Sequence, residues 1–170
     1  MINVFKSQNK HIENFSETAV SSLSASFQPC TNNSSCGNAT HIRIPDGTTT
    51  IEYNAFRNNT NLVSIIIPNS VTSIGDSAFE GCSRLAEVEI GNGITSIGAY
   101  VFYKCSSLEA VVIPDSVTSI GFRAFYRCSS LDSVVIPDSV TSIGDHAFDG
   151  CSRLAEVMIG NSVKSIGTSA

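Results

Sequence analysis

Residues Pro114–Gly121 read PDSVTSIG, and Pro137–Gly144 repeat the same eight letters without change. Working outward, Ile-Gly pairs begin at Ile74, Ile97, Ile120, Ile143 and Ile166, a constant step of 23 residues. The same step carries Phe56 to Phe79, Phe102, Phe125 and Phe148, and Leu62 to Leu85, Leu108, Leu131 and Leu154. Five complete units fill residues 44–158 and a partial sixth fills 159–170. Ser70–Asn92 and Ser139–Asn161 differ only at Ser77/His146, Glu80/Asp149 and Glu89/Met158, a degree of identity that points to recent duplication. An internal period in this range means a stack of coils, because a single short unit cannot bury its own apolar face.

The apolar pattern inside one unit changes period and so assigns its parts. In Leu85, Val88 and Ile90 the last residues alternate, as in a short strand with Glu87 and Glu89 facing outward. Val71 and Ile74 form a second extended piece. Between them, the spacing of Ala78, Phe79 and Cys82 predicts one face of a helical or 3₁₀ turn, with Asp76, Ser77, Glu80 and Gly81 outside. Gly75 ends the extended segment where the backbone turns, and Pro68 or Gly91 starts the other corner. Each coil holds about six large aliphatic or aromatic side chains, each contributing roughly 1.5–3 kcal/mol when neighbours cover both sides. Identical peptides then answer an architectural demand: every coil presents the same side chain at the same height.

The register IPDSVTSIGxxAFxxCSSL, with its L-x-x-V-x-I strand every 23 residues, resembles the BspA-type leucine-rich repeat over residues 42–170. In the ordinary leucine-rich consensus an asparagine follows the strand. Here that place holds Ser70, Gly93, Ser116, Ser139 and Ser162, so the usual asparagine ladder is absent. The resemblance implies an α/β repeat solenoid, a right-handed leucine-rich-repeat superhelix of 23-residue coils with short parallel strands and short helical or 3₁₀ turns. It implies a recognition surface for adhesion or protein binding, often displayed on cells, with no catalytic residues to carry over. Residues 1–41 read as a polar arm and a degenerate capping repeat, with Asn33, Cys36 and Ala39 in register with Phe56, Asn59 and Leu62.

Two surfaces are candidates for partner contact. Outward strand positions form the rows His41, Ser64, Glu87, Ala110, Ser133, Glu156 and Arg43, Ile66, Glu89, Val112, Val135, Met158. Side-by-side apolar residues on an outward face mark a contact surface, although valine also suits any strand. On the turn side, units two and five carry Asp76 with Glu80 and Asp145 with Asp149. The middle units carry Tyr100, Tyr103 and Lys104, then Phe122, Arg123, Tyr126 and Arg127. Stacking predicts an aromatic and basic island between acidic shoulders, of the composition that dominates binding hot spots, against the plainer reading of a solvated convex face. Its expected ligand is a protein or an anionic glycan.

Other function classes are disfavoured. A formal net charge of −5 argues against general nucleic-acid binding. No run of eighteen apolar residues is present for a membrane span, and residues 1–20 lack the apolar stretch of an export signal. Cys82, Cys105, Cys128 and Cys151 fall on the repeat step, so their side chains run parallel, which suits buried free thiols better than disulfides or metal ligation. Cys30 and Cys36 flank TNNSS and close a small loop if the compartment is oxidising. His11, His41 and His146 have no matching nucleophile or paired carboxylate, so no enzyme and no cofactor are expected. Thr49, Thr72, Thr95, Thr118 and Thr141 form a hydroxyl row of the kind an ice- or matrix-binding solenoid would use, without a second threonine row beside it. The chain stops two residues after Thr168 with no polar cap, so end-to-end association through an open coil stands beside truncation of a longer array.

Overall fold

The computed structural model describes residues 27–170, and the arm expected over residues 1–26 lies outside them. In chain order the elements are β1 (Gln28–Pro29), a one-turn helix α1 (Asn33–Cys36), β2 (His41–Arg43), β3 (Thr50–Ile51), β4 (Ser64–Ile67), β5 (Ser73–Ile74), β6 (Glu87–Ile90), β7 (Ser96–Ile97), β8 (Ala110–Val112), β9 (Ser119–Ile120), β10 (Ser133–Ile136), β11 (Ser142–Ile143), β12 (Glu156–Ile159) and β13 (Ser165–Ile166). They wind into a parallel β-solenoid. One seven-stranded sheet runs β1-β2-β4-β6-β8-β10-β12, and the second extended piece of each coil builds the ladders β3-β5 and β7-β9-β11-β13. Ser133 pairs with Glu156 and Val135 with Met158, each exactly one 23-residue step away, and the same offset holds from β2 onward.

Stacking like on like makes the core. Phe56, Phe79, Phe102, Phe125 and Phe148 form a column of parallel rings with centroids 5.3, 5.4, 5.3 and 5.1 Å apart. The Leu and Ile columns run beside it, and Leu62, Leu85, Leu108 and Leu131 are fully buried. Gly121 shows how close the coils lie: a Cβ there would fall 2.7 Å from the Gly98 carbonyl carbon and 2.8 Å from the Ala99 nitrogen. A side chain at this position has no room against fixed backbone.

The predicted helical turn is replaced by a chain of tight turns. Ala78 N–H donates to Gly75 C=O, Glu80 to Ser77 and Cys82 to Phe79, all within the coil. The alternate donors leave it: Ser77, Phe79 and Gly81 N–H groups bond the carbonyls of Ala99, Val101 and Tyr103 in the next coil. A helix would spend every N–H along its own axis. Here half of them tie coil to coil, and residues in the left-handed region make the redirection, with φ of 58° at Ser77 and 73° at Gly81. Ser77, expected outside, is buried. At the first coil, α1 is capped by Asn32 and Ser35, Asn33 N–H bonds Ala55 C=O, and Cys30 and Cys36 are joined by a disulfide.

Candidate functional site

The left-handed positions recur with the coils. One row is Asn54, Ser77, Tyr100, Arg123, His146 and Ser169; the other is Asn58, Gly81, Lys104, Arg127 and Gly150, all with φ between 53° and 77°. Up to His146 their N–H groups point to the following coil: Tyr100 donates to Phe122 C=O, Lys104 to Tyr126, Arg123 to Asp145 and Arg127 to Asp149, at 2.8–3.0 Å. Glycine and asparagine accept this backbone readily; tyrosine, lysine and arginine do so at a cost. Four of the seven residues expected in the aromatic and basic island therefore sit where the fold would favour something smaller.

All seven come together. Tyr103 and Tyr126 stack with centroids 5.0 Å apart at 8°. Tyr100 meets both Tyr103 and Phe122 edge-on, at 5.5 and 5.3 Å, and Phe122 reaches His146. Cations lie on these rings: Arg123 over Phe122 at 4.9 Å and over Tyr126 at 5.1 Å, Lys104 over Tyr103 at 5.1 Å, and Arg127 over Tyr126 at 5.2 Å. Such contacts hold the charges in place. The acidic shoulders are engaged elsewhere, since Glu80 pairs with Arg57 at 2.8 Å and Asp149 with His146 at 3.0 Å. Among the described residues no carboxylate stands within ion-pairing distance of Lys104, Arg123 or Arg127.

Beside the island an open groove of about 500 Å³ crosses the coils. Lys104 and Arg127 line it together with Ser83, Ser106 and Ser129, and Gly81 and Gly150 stand at its two ends. The Ser106 hydroxyl donates to Ser83 C=O (3.2 Å) and that of Ser129 to Ser106 C=O (3.3 Å). The Arg127 stem crosses Gly150, where a Cβ would lie 2.8 Å from its Cγ.

The strand row is only partly as expected. Val112 and Val135 are 55% and 46% exposed, with Met158 half-buried beside them, and Arg43 and Glu89 are exposed. Ile66 is a correction: it is 8% exposed, and its neighbour in the other row, Ser64, is buried too. The first coils of this face are covered, with Phe27 edge-on against His41 at 5.8 Å and Ile66 set between the long Arg43 and Glu89. His41 Nδ1 lies 2.7 Å from Ser64 Oγ, a pair that adding one repeat step to His41 would have revealed. Glu87 is the strand neighbour of Ser64 on the other side, so serine, not histidine, stands in the middle of the three.

The two remaining rows are structural. Thr72, Thr118 and Thr141 hydroxyls each donate to the preceding threonine's carbonyl, which spends the protons an ice- or matrix-facing array would offer. The Cys82, Cys105, Cys128 and Cys151 thiols bond the carbonyls of Phe56, Phe79, Phe102 and Phe125 at 3.0–3.2 Å. Burial pushes the Cys82 thiol up to about 12 and that of Cys151 up to about 11, and raises Cys105 and Cys128 well above the ordinary value. No group of three or more metal-ligating side chains exists among the described residues, and no helix among them is long and apolar enough to cross a membrane.

Comparison with known proteins follows the repeat. A crystal structure of a leucine rich cell surface protein from Faecalibacterium prausnitzii is similar at 38% identity and a TM-score of 0.68, covering 69% of this chain and 31% of that one. A leucine-rich repeat protein from Bacteroides ovatus is 32% identical with a TM-score of 0.70, over 74% of this chain and 35% of its own. The leucine rich repeat protein of T. pallidum is 30% identical with a TM-score of 0.65, over 84% of both. This chain spans about a third of the first two proteins. No curated protein matches. The model of the BspA type leucine rich repeat region matches in six copies, over residues 30–131 and 118–170. With its repeat, strand register and core columns in agreement with that match, the chain belongs to the BspA-type leucine-rich repeat family.

Proposed function

We propose that this chain is a non-catalytic recognition module that holds a protein or glycan ligand against the aromatic and basic island on its turn side. The carrying observation is the cluster itself: rings from neighbouring coils locked face to face and edge to face, with three cations laid on them and no acid neutralising them. Pre-placed aromatic and guanidinium groups lose little freedom on binding, which is why they dominate hot spots. Display at a cell surface is part of the proposal. The similar Faecalibacterium protein is described as a cell surface protein, and the Cys30–Cys36 disulfide supports an oxidising location. Cross-linked capture on the native cell or host matrix tests the site. The variant Tyr103→Ala/Tyr126→Ala/Arg127→Ala is expected to lose the captured ligand with an unchanged far-ultraviolet dichroism spectrum; retention of the same ligand overturns the island.

A second reading rests on the sheet side, where Val112 and Val135 are the exposed apolar pair. Loss of capture in Val112→Ser/Val135→Ser, with the island variant still active, would move the site there. Self-association is a further arm of the proposal, because the last coil leaves Val157, Ile159 and Ile166 about half exposed. The same face would equally take a following coil. Light scattering over a concentration series is expected to show mass rising with concentration, and a constant monomer mass removes this arm.

A further inference from the structure

Resting on the island as the binding surface, the geometry points to an acidic saccharide, bearing sulfate or carboxylate groups along with free hydroxyls, as the ligand of the groove beside it. Three observations converge. The row Asn58, Gly81, Lys104, Arg127, Gly150 has a left-handed backbone in every coil, and the N–H groups of its first four members each tie one coil to the next. Where the row is outside the island it holds asparagine or glycine, the residues that this backbone favours. Only in the two middle coils, inside the island, does it hold lysine and arginine, against local preference, so these two side chains are not explained by the fold.

The groove is also shaped around them. Its ends are the side-chain-free Gly81 and Gly150, and the missing Cβ of Gly150 is what lets the Arg127 stem cross that coil. Lys104 and Arg127 stand one coil apart, roughly the 4.7–4.9 Å of neighbouring strands, with their charges held at the rings of Tyr103 and Tyr126.

The floor decides the class of ligand. Ser106 and Ser129 donate their protons to the Ser83 and Ser106 carbonyls of the preceding coil, so what their oxygens can still offer a ligand is lone pairs. The walls thus attract anions while the floor accepts hydrogen bonds from O–H donors. An acidic saccharide carries both groups within one sugar unit, whereas an acidic peptide side chain brings the anion without the hydroxyls. The lining side chains are serine, lysine and arginine, yet carbon makes up most of the exposed lining, so the groove offers a sugar's C–H face a place to rest as well as charges and hydroxyl oxygens.

The test is direct titration of the intact chain with four probes of similar length: a heparin-derived octasaccharide, an oligogalacturonate, an uncharged dextran and poly-glutamate. Binding of the two acidic saccharides, weakening as salt is raised, with none of the dextran, is expected. Lys104→Gly/Arg127→Gly should weaken that binding at least tenfold while its melting temperature stays equal or rises, since glycine relieves the backbone. Lys164→Glu, which lowers the net charge by the same two units outside the groove, should bind as the parent does. Undiminished binding by the glycine variant, equal loss in the charge control, or poly-glutamate binding as tightly as the saccharides each overturns the inference. If neither acidic saccharide binds but ligand capture still depends on Tyr103, Tyr126 and Arg127, the island stands as the binding surface and the saccharide assignment falls.

Discussion

Raising the pH above 9 is expected to unfold this chain steeply, well before the backbone itself is damaged. The cause is the thiol column. Cys82, Cys105 and Cys128 are fully buried, and burial holds their protons on, to about 12 for Cys82 and well above the ordinary 9.0 for the other two. Below pH 9 the thiols are neutral in folded and unfolded chains alike, and their contribution to stability is complete. Between 9 and about 12 the unfolded chain releases protons that the folded chain keeps, so stability falls as pH rises through that window. Each such thiol removes about 1.4 kcal/mol per pH unit, and three together remove roughly 4. Against a typical domain stability of about 5–15 kcal/mol, cooperative unfolding is expected between about pH 10 and 12. The check is the urea midpoint by circular dichroism at pH 8, 9.5 and 10.5, for the parent and for Cys82→Ala/Cys105→Ala/Cys128→Ala. The variant starts lower, because it loses three packed sulfurs and the thiol hydrogen bonds to the Phe56, Phe79 and Phe102 carbonyls, which keep one backbone N–H each, yet its midpoint should fall much less with pH. Equal slopes would mean that thiol burial does not govern alkaline stability.

That column was legible in the sequence, and it shows what a constant step reveals. Adding 23 to a residue number gives its neighbour in the stack, so the pairing of Val112 with Val135 and of Tyr103 with Tyr126 follows from arithmetic. The step does not tell where backbone donors go. Ala78, Phe79 and Cys82 have the same inward spacing in a helical turn and in the observed run of tight turns; the difference is that alternate N–H groups reach the next coil. A signal for this was present in Asn54, Asn58, Gly81 and Gly150, residues that favour a left-handed backbone, all at two recurring positions.

Covering and charge pairing were less legible, because both depend on where long side chains come to lie. Ile66 occupies an outward strand position like Val112 but is buried, set between the long side chains of Arg43 and Glu89, whereas Val112 has Val135 as its strand neighbour and is exposed. The acidic shoulders of the island look from sequence like partners for Lys104 and Arg127. In the structure Glu80 turns to Arg57 and Asp149 to His146, and neither stands within ion-pairing distance of Lys104 or Arg127. Cys30 and Cys36 differ from the thiol column only in that Cys30 is off the step. This is enough to single the pair out but not to bond it, and the bond follows from a Cα separation of 5.4 Å across α1.

Truncating Phe102 to alanine is expected to cost about 4–5 kcal/mol, the upper part of the range for a buried phenylalanine. Its ring is fully buried and stacked on both faces, against Phe79 at 5.4 Å and Phe125 at 5.3 Å, and each lost ring contact adds to the cavity cost. Phe148 occupies the equivalent position at the last complete coil, half-buried and stacked only on Phe125 at 5.1 Å. Phe148→Ala should therefore cost less than half as much. Position matters for a second reason: coils touch only their neighbours, so a central defect divides the array into pieces too short to be stable alone, whereas a terminal defect merely shortens it. Phe102→Ala is accordingly expected to lower the urea midpoint and broaden the transition, and Phe148→Ala to lower it slightly with the transition still sharp. Equal costs for the two substitutions would show that each ring acts as an isolated core residue and that the column adds nothing of its own.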